Sequence, residues 1–199
     1  MDKSHKPTWT SFEEATAADW KAVEVYEEEF NAGLVDRLMD AIRSLDEEWT
    51  PYPINRYQHC LQTATRAYEA GEDEEMVVAA LIHDVGDILS PYNHGDVAAA
   101  IAKPYMSEKA VWILKHHCVF QGYYYNHFLG GDRHAREKYK DSPYYEDCKY
   151  FCHNYDQNSF DPNYPTKPLE FFEPMMRRIF SNSGGHMELN EKRDEIAAE

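Results

Sequence analysis

The chain has 199 residues, 43% of them hydrophobic and 28% charged, and a formal net charge of −16 at pH 7. That length and mixture give one soluble domain with a sizeable core and exclude a disordered chain. The acidic balance excludes a general nucleic-acid binder, because phosphate would be repelled, and it favours a cation.

No apolar run approaches the ~20 residues that span a bilayer, and the leading MDKSHKPTWTSFEEAT lacks the apolar core of a signal peptide. No membrane association and a cytoplasmic location are therefore expected. The four cysteines, Cys60, Cys118, Cys148 and Cys152, form no CxxC pair, which argues against a cysteine-rich zinc site. Cys148 and Cys152 lie one helical turn apart and read as buried thiols.

In chain order, Ala17 to Leu45 reads as two helices broken near Asn31-Ala32-Gly33, with Leu34, Leu38, Ile42 and Leu45 at helical spacing. Thr50-Pro51-Tyr52-Pro53 stops that segment, and a helix follows from Pro53 to Ala70, with Gly71 beyond its end. Asp73 is the N-cap of the next helix, which carries the apolar run Met76 to Val85. Gly86 and Ser90-Pro91 loosen the chain. Short helices are then expected from His94 to Ala102, from Ser107-Glu108 onward, and over Asp132–Lys140, Ser142–Tyr155 and Leu169–Phe180. SFDPNYPTKP is proline-rich and extended. No alternating strand pattern occurs, so the class is all-α. The expected organisation is an N-terminal helical segment over 1–50 packed on a core over 51–182, then a tail over 183–199. Trp9, Phe12 and Trp20 would staple the first segment to the core, form a lid, or make a homodimer contact.

The doublet His83-Asp84 ends an apolar run, MVVAALIHDV. Each side chain is costly to bury unless paired or metal-bound. Two antiparallel helices can bring His59, His83 and Asp84 into one shell, and Asp156 can close it. The Asp84 carboxylate can also bridge to a second ion, held by His94 and one of the neighbours His116 and His117. These neighbours point ~100° apart on a helix, and spacing alone does not choose between them. The set is nitrogen and oxygen only, with no thiolate, which suits iron or manganese.

The order His59 … His83-Asp84 … Asp156 resembles the HD-domain superfamily. QHCLQTATRAYEAG, AALIHDVGD, NHGDVAAAI, KHHCVFQGYYYNHFLGG, FCHNYDQNSFDPNY and FFEPMMRRIF are similar to the mixed-valent di-iron oxygenases of that superfamily: the phosphonate-cleaving HD oxygenases and, more distantly, myo-inositol oxygenase. The resemblance implies an HD-domain helical bundle around a dinuclear site. It assigns His59, His83 and Asp156 to one iron, Asp84 to the bridge, and His94 and His117 to the other. It implies two iron ions, Fe(II)/Fe(III), with O2 as co-substrate, and cleavage of the C–P bond of a hydroxylated organophosphonate to phosphate and a carboxylate.

Two positions depart from the best-known phosphonate-cleaving member: Asp87 stands where it has His, and Gln121 where it has Lys. Asp87 and His116 are candidates to orient ligands or act near the substrate. Tyr52, Gln121, Tyr123, His127, Arg133 and Arg136 are candidate substrate contacts. Aromatic residues beyond His117 would suit a trimethylammonium group, and Arg133 and Arg136 a phosphonate. The alternative is a metal-dependent HD phosphohydrolase acting on a nucleotide or small phosphate ester.

Overall fold

The computed structural model describes residues 5–181. The expected tail at 183–199 lies outside the described residues. Among these residues the chain forms eight α-helices and no strand, so the fold is all-α. No described helix is long and apolar enough to cross a membrane.

α1 (Ala17–Ala32) opens on a reciprocal cap. Asp19 N–H donates to Thr16 Oγ1 at 3.3 Å, and Thr16 N–H donates to Asp19 Oδ2 at 2.8 Å. Thr16, and then His5, hold the Asp19 carboxyl down at about 2. Trp9, Phe12 and Trp20 close on one another, with ring centroids 5.3, 5.4 and 6.2 Å apart, which pins the leading segment to the start of α1. α2 (Leu34–Arg43) follows directly after Gly33 and buries Val35, Leu38, Met39 and Ile42 against α8 (Leu169–Ser181) and the long central helix α3 (Arg56–Glu69).

α3 begins three residues later than Pro53, because Asn55 is the better cap. Its backbone is extended, and its side chain accepts from Gln58 N–H at 2.9 Å. The helix ends in a Schellman motif: Gly71, at φ +81°, donates to the Tyr68 carbonyl, and Glu72 donates to the Ala67 carbonyl. α4 (Glu74–Ile82) is capped by Asp73, which accepts from Met76 N–H at 2.9 Å. Met76 to Ile82 are all buried, as a helix apolar on every side must be. It packs between α3, α8 and α6 (Glu108–Tyr125).

α5 (His94–Ala102) lies against α6 and the short turn Val85–Ile88. Its approach requires glycine. A Cβ at Gly95 would stand 2.8 Å from the Leu114 carbonyl oxygen, and one at Gly86 would stand 2.5 Å from that of His94. The helix expected over Asp132–Lys140 is only a short 3-10 turn, Ala135–Tyr139. Asp132 Oδ1 takes the His134 N–H at 2.7 Å, and this local turn competes with a full helix. The helix expected over Ser142–Tyr155 is α7 (Tyr145–Phe151), widened at its end into a π-turn over Cys152–Asp156 where Gln157 N–H reaches the Cys152 carbonyl. Cys148 and Cys152 are buried free thiols, as their spacing suggests.

Gly71→Ala forces a left-handed φ on an L-residue and costs about 1–2 kcal/mol, with nothing crowding the new Cβ. Gly86→Ala costs more, because its Cβ meets His94 backbone and, at 2.8 Å, Val97 Cβ. Urea unfolding of both variants checks that order; equal losses would show that α5 tolerates a wider approach.

Candidate metal centre

The site is built where α3, α4, α5, α6 and the π-turn meet. α4 ends at His83, and Asp84 leaves helical geometry at φ −100°, ψ 6°, in the bridge region common at functional residues. The adjacent side chains therefore act in different ways. His83 is fully buried, while Asp84 keeps a small exposed edge. The wide turn after α7 likewise sets Asp156 into the interior with its side chain entirely buried.

Four imidazoles share one arrangement. Nδ1 of His59 faces the Ser159 carbonyl at 2.9 Å, that of His83 the Ala80 carbonyl at 2.8 Å, that of His94 the Pro91 carbonyl at 3.0 Å, and that of His117 the Leu114 carbonyl at 2.7 Å. A carbonyl only accepts, so each Nδ1 carries the proton and each Nε2 presents a lone pair. These Nε2 atoms face one another: His59 and His83 at 3.1 Å, His94 and His117 at 3.2 Å. Two lone pairs at that distance repel unless a proton or a metal ion lies between them.

The carboxylates complete two groups. Asp156 Oδ1 lies 3.2 Å from His59 Nε2 and 3.8 Å from His83 Nε2. Asp84 Oδ2 faces His83 at 3.4 Å and His59 at 3.7 Å, while its Oδ1 faces His94 at 3.2 Å and His117 at 3.3 Å. One carboxylate thus turns an oxygen to each pair of imidazoles. Asp156 Oδ2 is buried with no hydrogen-bond partner, an orphan that a metal would satisfy. Burial alone would lower all four histidines. At His59 the carboxylates of Asp156 and Asp84 outweigh it, at His94 those of Asp84 and Asp87 do, and at His117 Cys118 and Asp84 do, so these three are held above the usual range. Burial prevails at His83, which is lowered. The donors therefore fit metal ions: imidazoles oriented by outer hydrogen bonds, whose Nε2 atoms would exchange a proton for a metal, with carboxylates that balance charge.

Asp87 stands directly behind the ligands. Its Oδ1 lies 2.9 Å from His94 Nδ1, and its Oδ2 accepts from Arg56 Nε at 2.5 Å. Arg56 also pairs with Glu47 at 2.7 Å. Gln121 donates to Asp156 Oδ1 at 2.5 Å. A cavity of about 580 Å³ opens onto His59, Asp84 and His94, and is further lined by Tyr52, Arg56, Asp87, Gln121, Tyr124, Tyr125, Phe128 and Phe160.

Five candidates from the sequence lie elsewhere. His116 does not join the centre: its Nδ1 faces the Trp112 carbonyl at 2.8 Å and its ring stacks on Trp112, because it sits ~100° around the helix from His117. Arg133 and Arg136 stack on Tyr123, 4.3 and 3.8 Å from its centroid, and this closed cluster keeps all three out of the cavity lining. His127 packs against Phe128 outside the lining. The chain turns at Asn126–Leu129 and Gly130, which swings those side chains away. Tyr52 and Gln121 do line the cavity.

Sequence reading missed three groups. Arg56 lies one turn before His59 on the same helix face, which was its available signal. Phe160, four residues past Asp156, stacks on His59 with centroids 4.6 Å apart. The thiol of Cys118, next to His117, lies 3.0 Å from His94 Nε2; burial raises it, but His117 and His94 bring it down to about 6. A nitrogen-and-oxygen-only donor set is thus incomplete as a description of this pocket.

Residues 56–150 match the family model described as HD domain. Among curated proteins, a stretch of 64 residues is 39% identical to the [1-hydroxy-2-(trimethylamino)ethyl]phosphonate dioxygenase (glycine-betaine-forming) of Leisingera caerulea. That match covers 32% of this chain and 30% of the relative, so the chain spans under a third of the relative it matches. The helical fold, the His/Asp cluster and these two likenesses agree that the chain carries an HD domain and resembles the HD-type oxygenases.

Proposed function

We propose that this HD-domain metal enzyme is an O2-dependent di-iron oxygenase that cleaves the C–P bond of a small 1-hydroxyalkylphosphonate bearing a trimethylammonium group, giving phosphate and a carboxylate. The observation that carries the reading is Asp84, turning one oxygen to His59 and His83 and the other to His94 and His117. That is the donor geometry of a carboxylate shared by two ions. The activity of the Leisingera caerulea relative supplies the substrate class.

His59, His83 and Asp156 would hold one ion, His94 and His117 the other, with Asp84 between them. When bound, iron supplies the redox capacity for O2 and the Lewis acidity that gathers the substrate's oxygens. The chain supplies placement. The Nδ1 hydrogen bonds fix each ring, and Asp87 joins His94 to Arg56 so that ligand and cavity wall move together. Gln121 clamps Asp156 from the cavity side. Arg56 is the one Arg or Lys among the cavity's lining residues, and with the Gln121 amide it offers N–H donors to phosphonate oxygens. Tyr52, Tyr124, Tyr125, Phe128 and Phe160 offer the aromatic faces that attract a quaternary ammonium. They also exclude water from the reacting carbon.

Protein purified anaerobically with iron and partly oxidised is expected to give the EPR signal of a coupled Fe(II)/Fe(III) pair. That signal should change on adding [1-hydroxy-2-(trimethylamino)ethyl]phosphonate, with O2 uptake matched by phosphate release. A colourless protein with manganese-dependent phosphatase activity would overturn the oxygenase in favour of an HD phosphohydrolase. Tyr125→Leu removes one aromatic face; a lost cation–π contact of about 0.5–2 kcal/mol raises KM for the trimethylammonium substrate roughly two- to thirtyfold. Steady-state kinetics should show kcat retained, and KM unchanged for a 1-hydroxyphosphonate lacking the ammonium. An equal rise for both compounds would count against the aromatic wall.

A further inference from the structure

The His94–His117 half of the centre has a donor that the shared-carboxylate arrangement does not need. Cys118 Sγ lies 3.0 Å from His94 Nε2 and 3.5 Å from His117 Nε2, and these two nitrogens are 3.2 Å apart. The three atoms form a closed triangle of donors. For metal–nitrogen bonds of about 2.0–2.1 Å and a metal–sulfur bond of about 2.3 Å at tetrahedral angles, the expected edges are roughly 3.3 Å between nitrogens and 3.5 Å from nitrogen to sulfur. Two edges of the observed triangle match one face of that figure to about 0.1 Å, and the third, from Cys118 Sγ to His94 Nε2, is about 0.5 Å shorter.

The local chain explains the position. Gly95 lets α5 come close enough to α6 that a Cβ there would stand 3.2 Å from Cys118 Sγ. This close approach sets the thiol beside the His94 ring, with no bulkier side chain between them. The other three cysteines are fully buried; of these, Cys148 faces the Ile113 carbonyl and Cys152 that of His117. Cys118 alone has its sulfur against two imidazole lone pairs.

We propose that Cys118 is a thiolate ligand to the metal held by His94 and His117, making the two halves of the centre chemically unequal: nitrogen and oxygen at His59, His83 and Asp156, nitrogen, oxygen and sulfur at the other. Sulfur favours softer and more covalent ions, so the half with Cys118 retains cobalt, zinc or iron in preference to manganese or magnesium. This inference rests on the dinuclear reading of the site.

Anaerobic titration of the metal-free protein with cobalt(II) chloride tests it. The expected result is uptake of two ions per chain, with a sulfur-to-cobalt charge-transfer band in the near ultraviolet that saturates with one of them. Cys118→Ser should abolish that band while keeping the visible cobalt bands and the helical circular dichroism. Cys60→Ala should leave the charge-transfer band intact. Two bound cobalt ions without the band in the unaltered protein, or a band that survives Cys118→Ser, would overturn the thiolate ligand and leave the dinuclear centre standing. Failure to bind cobalt at all would overturn both.

Discussion

The structure depends on one constraint: four imidazole rings are each tied by Nδ1 to a backbone carbonyl, so four lone pairs are turned on one another inside the protein. Without a cation this arrangement is repulsive, and protons are drawn onto His59 and His94 by the nearby carboxylates and onto His117 by Cys118 and Asp84. With metal ions, the same lone pairs become bonds. Three of the carbonyls lie on the histidine's own helix or turn, at Ala80, Pro91 and Leu114. Those rings are set by local backbone and need no distant partner. The exception, His59, reaches Ser159, one hundred residues away.

That exception explains the strapping of the proline-rich segment across α3. Gln62 Nε2 donates to the Asp161 carbonyl at 2.7 Å and its Oε1 accepts from Asp161 N–H at 3.3 Å, while Thr65 Oγ1 accepts from Lys167 N–H at 3.1 Å. These buried polar side chains hold a loop rather than a helix, and the loop in turn holds His59 and sets Phe160 against it. The Gln62 and Thr65 side chains are tolerated there because each is matched. Asp156 Oδ2 lacks a partner, and it sits at the centre where a metal would provide one. Among the buried side-chain atoms of the described residues without a partner it is the one oxygen, and its carboxylate lies against His59 and His83, where an acceptor suits a metal.

The fold class was legible because periodicity and caps are local. Asp73, Gly71, Gly33 and Ser107 act at the helix ends where their chemistry places them. The His83-Asp84 doublet was legible for a similar reason: an imidazole and a carboxylate carried inward by an apolar run are too costly to desolvate without a partner or an ion. The cavity wall was harder to read. Arg133 and Arg136 read as phosphonate contacts because they are the nearest basic residues along the chain, yet beyond the turn at Gly130 they stack on Tyr123. The cation actually lining the cavity, Arg56, belongs to another helix. Turn geometry over Asn126–Leu129 decides which aromatic side chains face inward, and no hydrophobic period reports it. Cys118 was passed over because a lone cysteine carries no spacing pattern; only the close approach of α5 at Gly95 makes it a neighbour of His94.

Charge balance ties the cavity to the centre. Arg56 is held between Asp87 and Glu47, so its own positive charge is largely offset before any substrate arrives. The proposed anionic substrate, in a chain of net charge −16, would then have to draw its attraction from elsewhere. Metal-bound neutral imidazoles would add no charge, and the carboxylates of Asp84 and Asp156 with the proposed Cys118 thiolate would offset only part of that on two divalent or trivalent ions. The bound centre would be net positive in a half-enclosed cavity of low dielectric, where such a charge acts strongly. A neutral Gln121 is then sufficient beside it, and a lysine there would add repulsion toward the ions. By the same logic, a cationic end group on the proposed substrate would lie away from the metals, among the aromatic rings. Arg56 in this arrangement acts more as a positioning residue for Asp87 and His94 than as the main source of anion affinity.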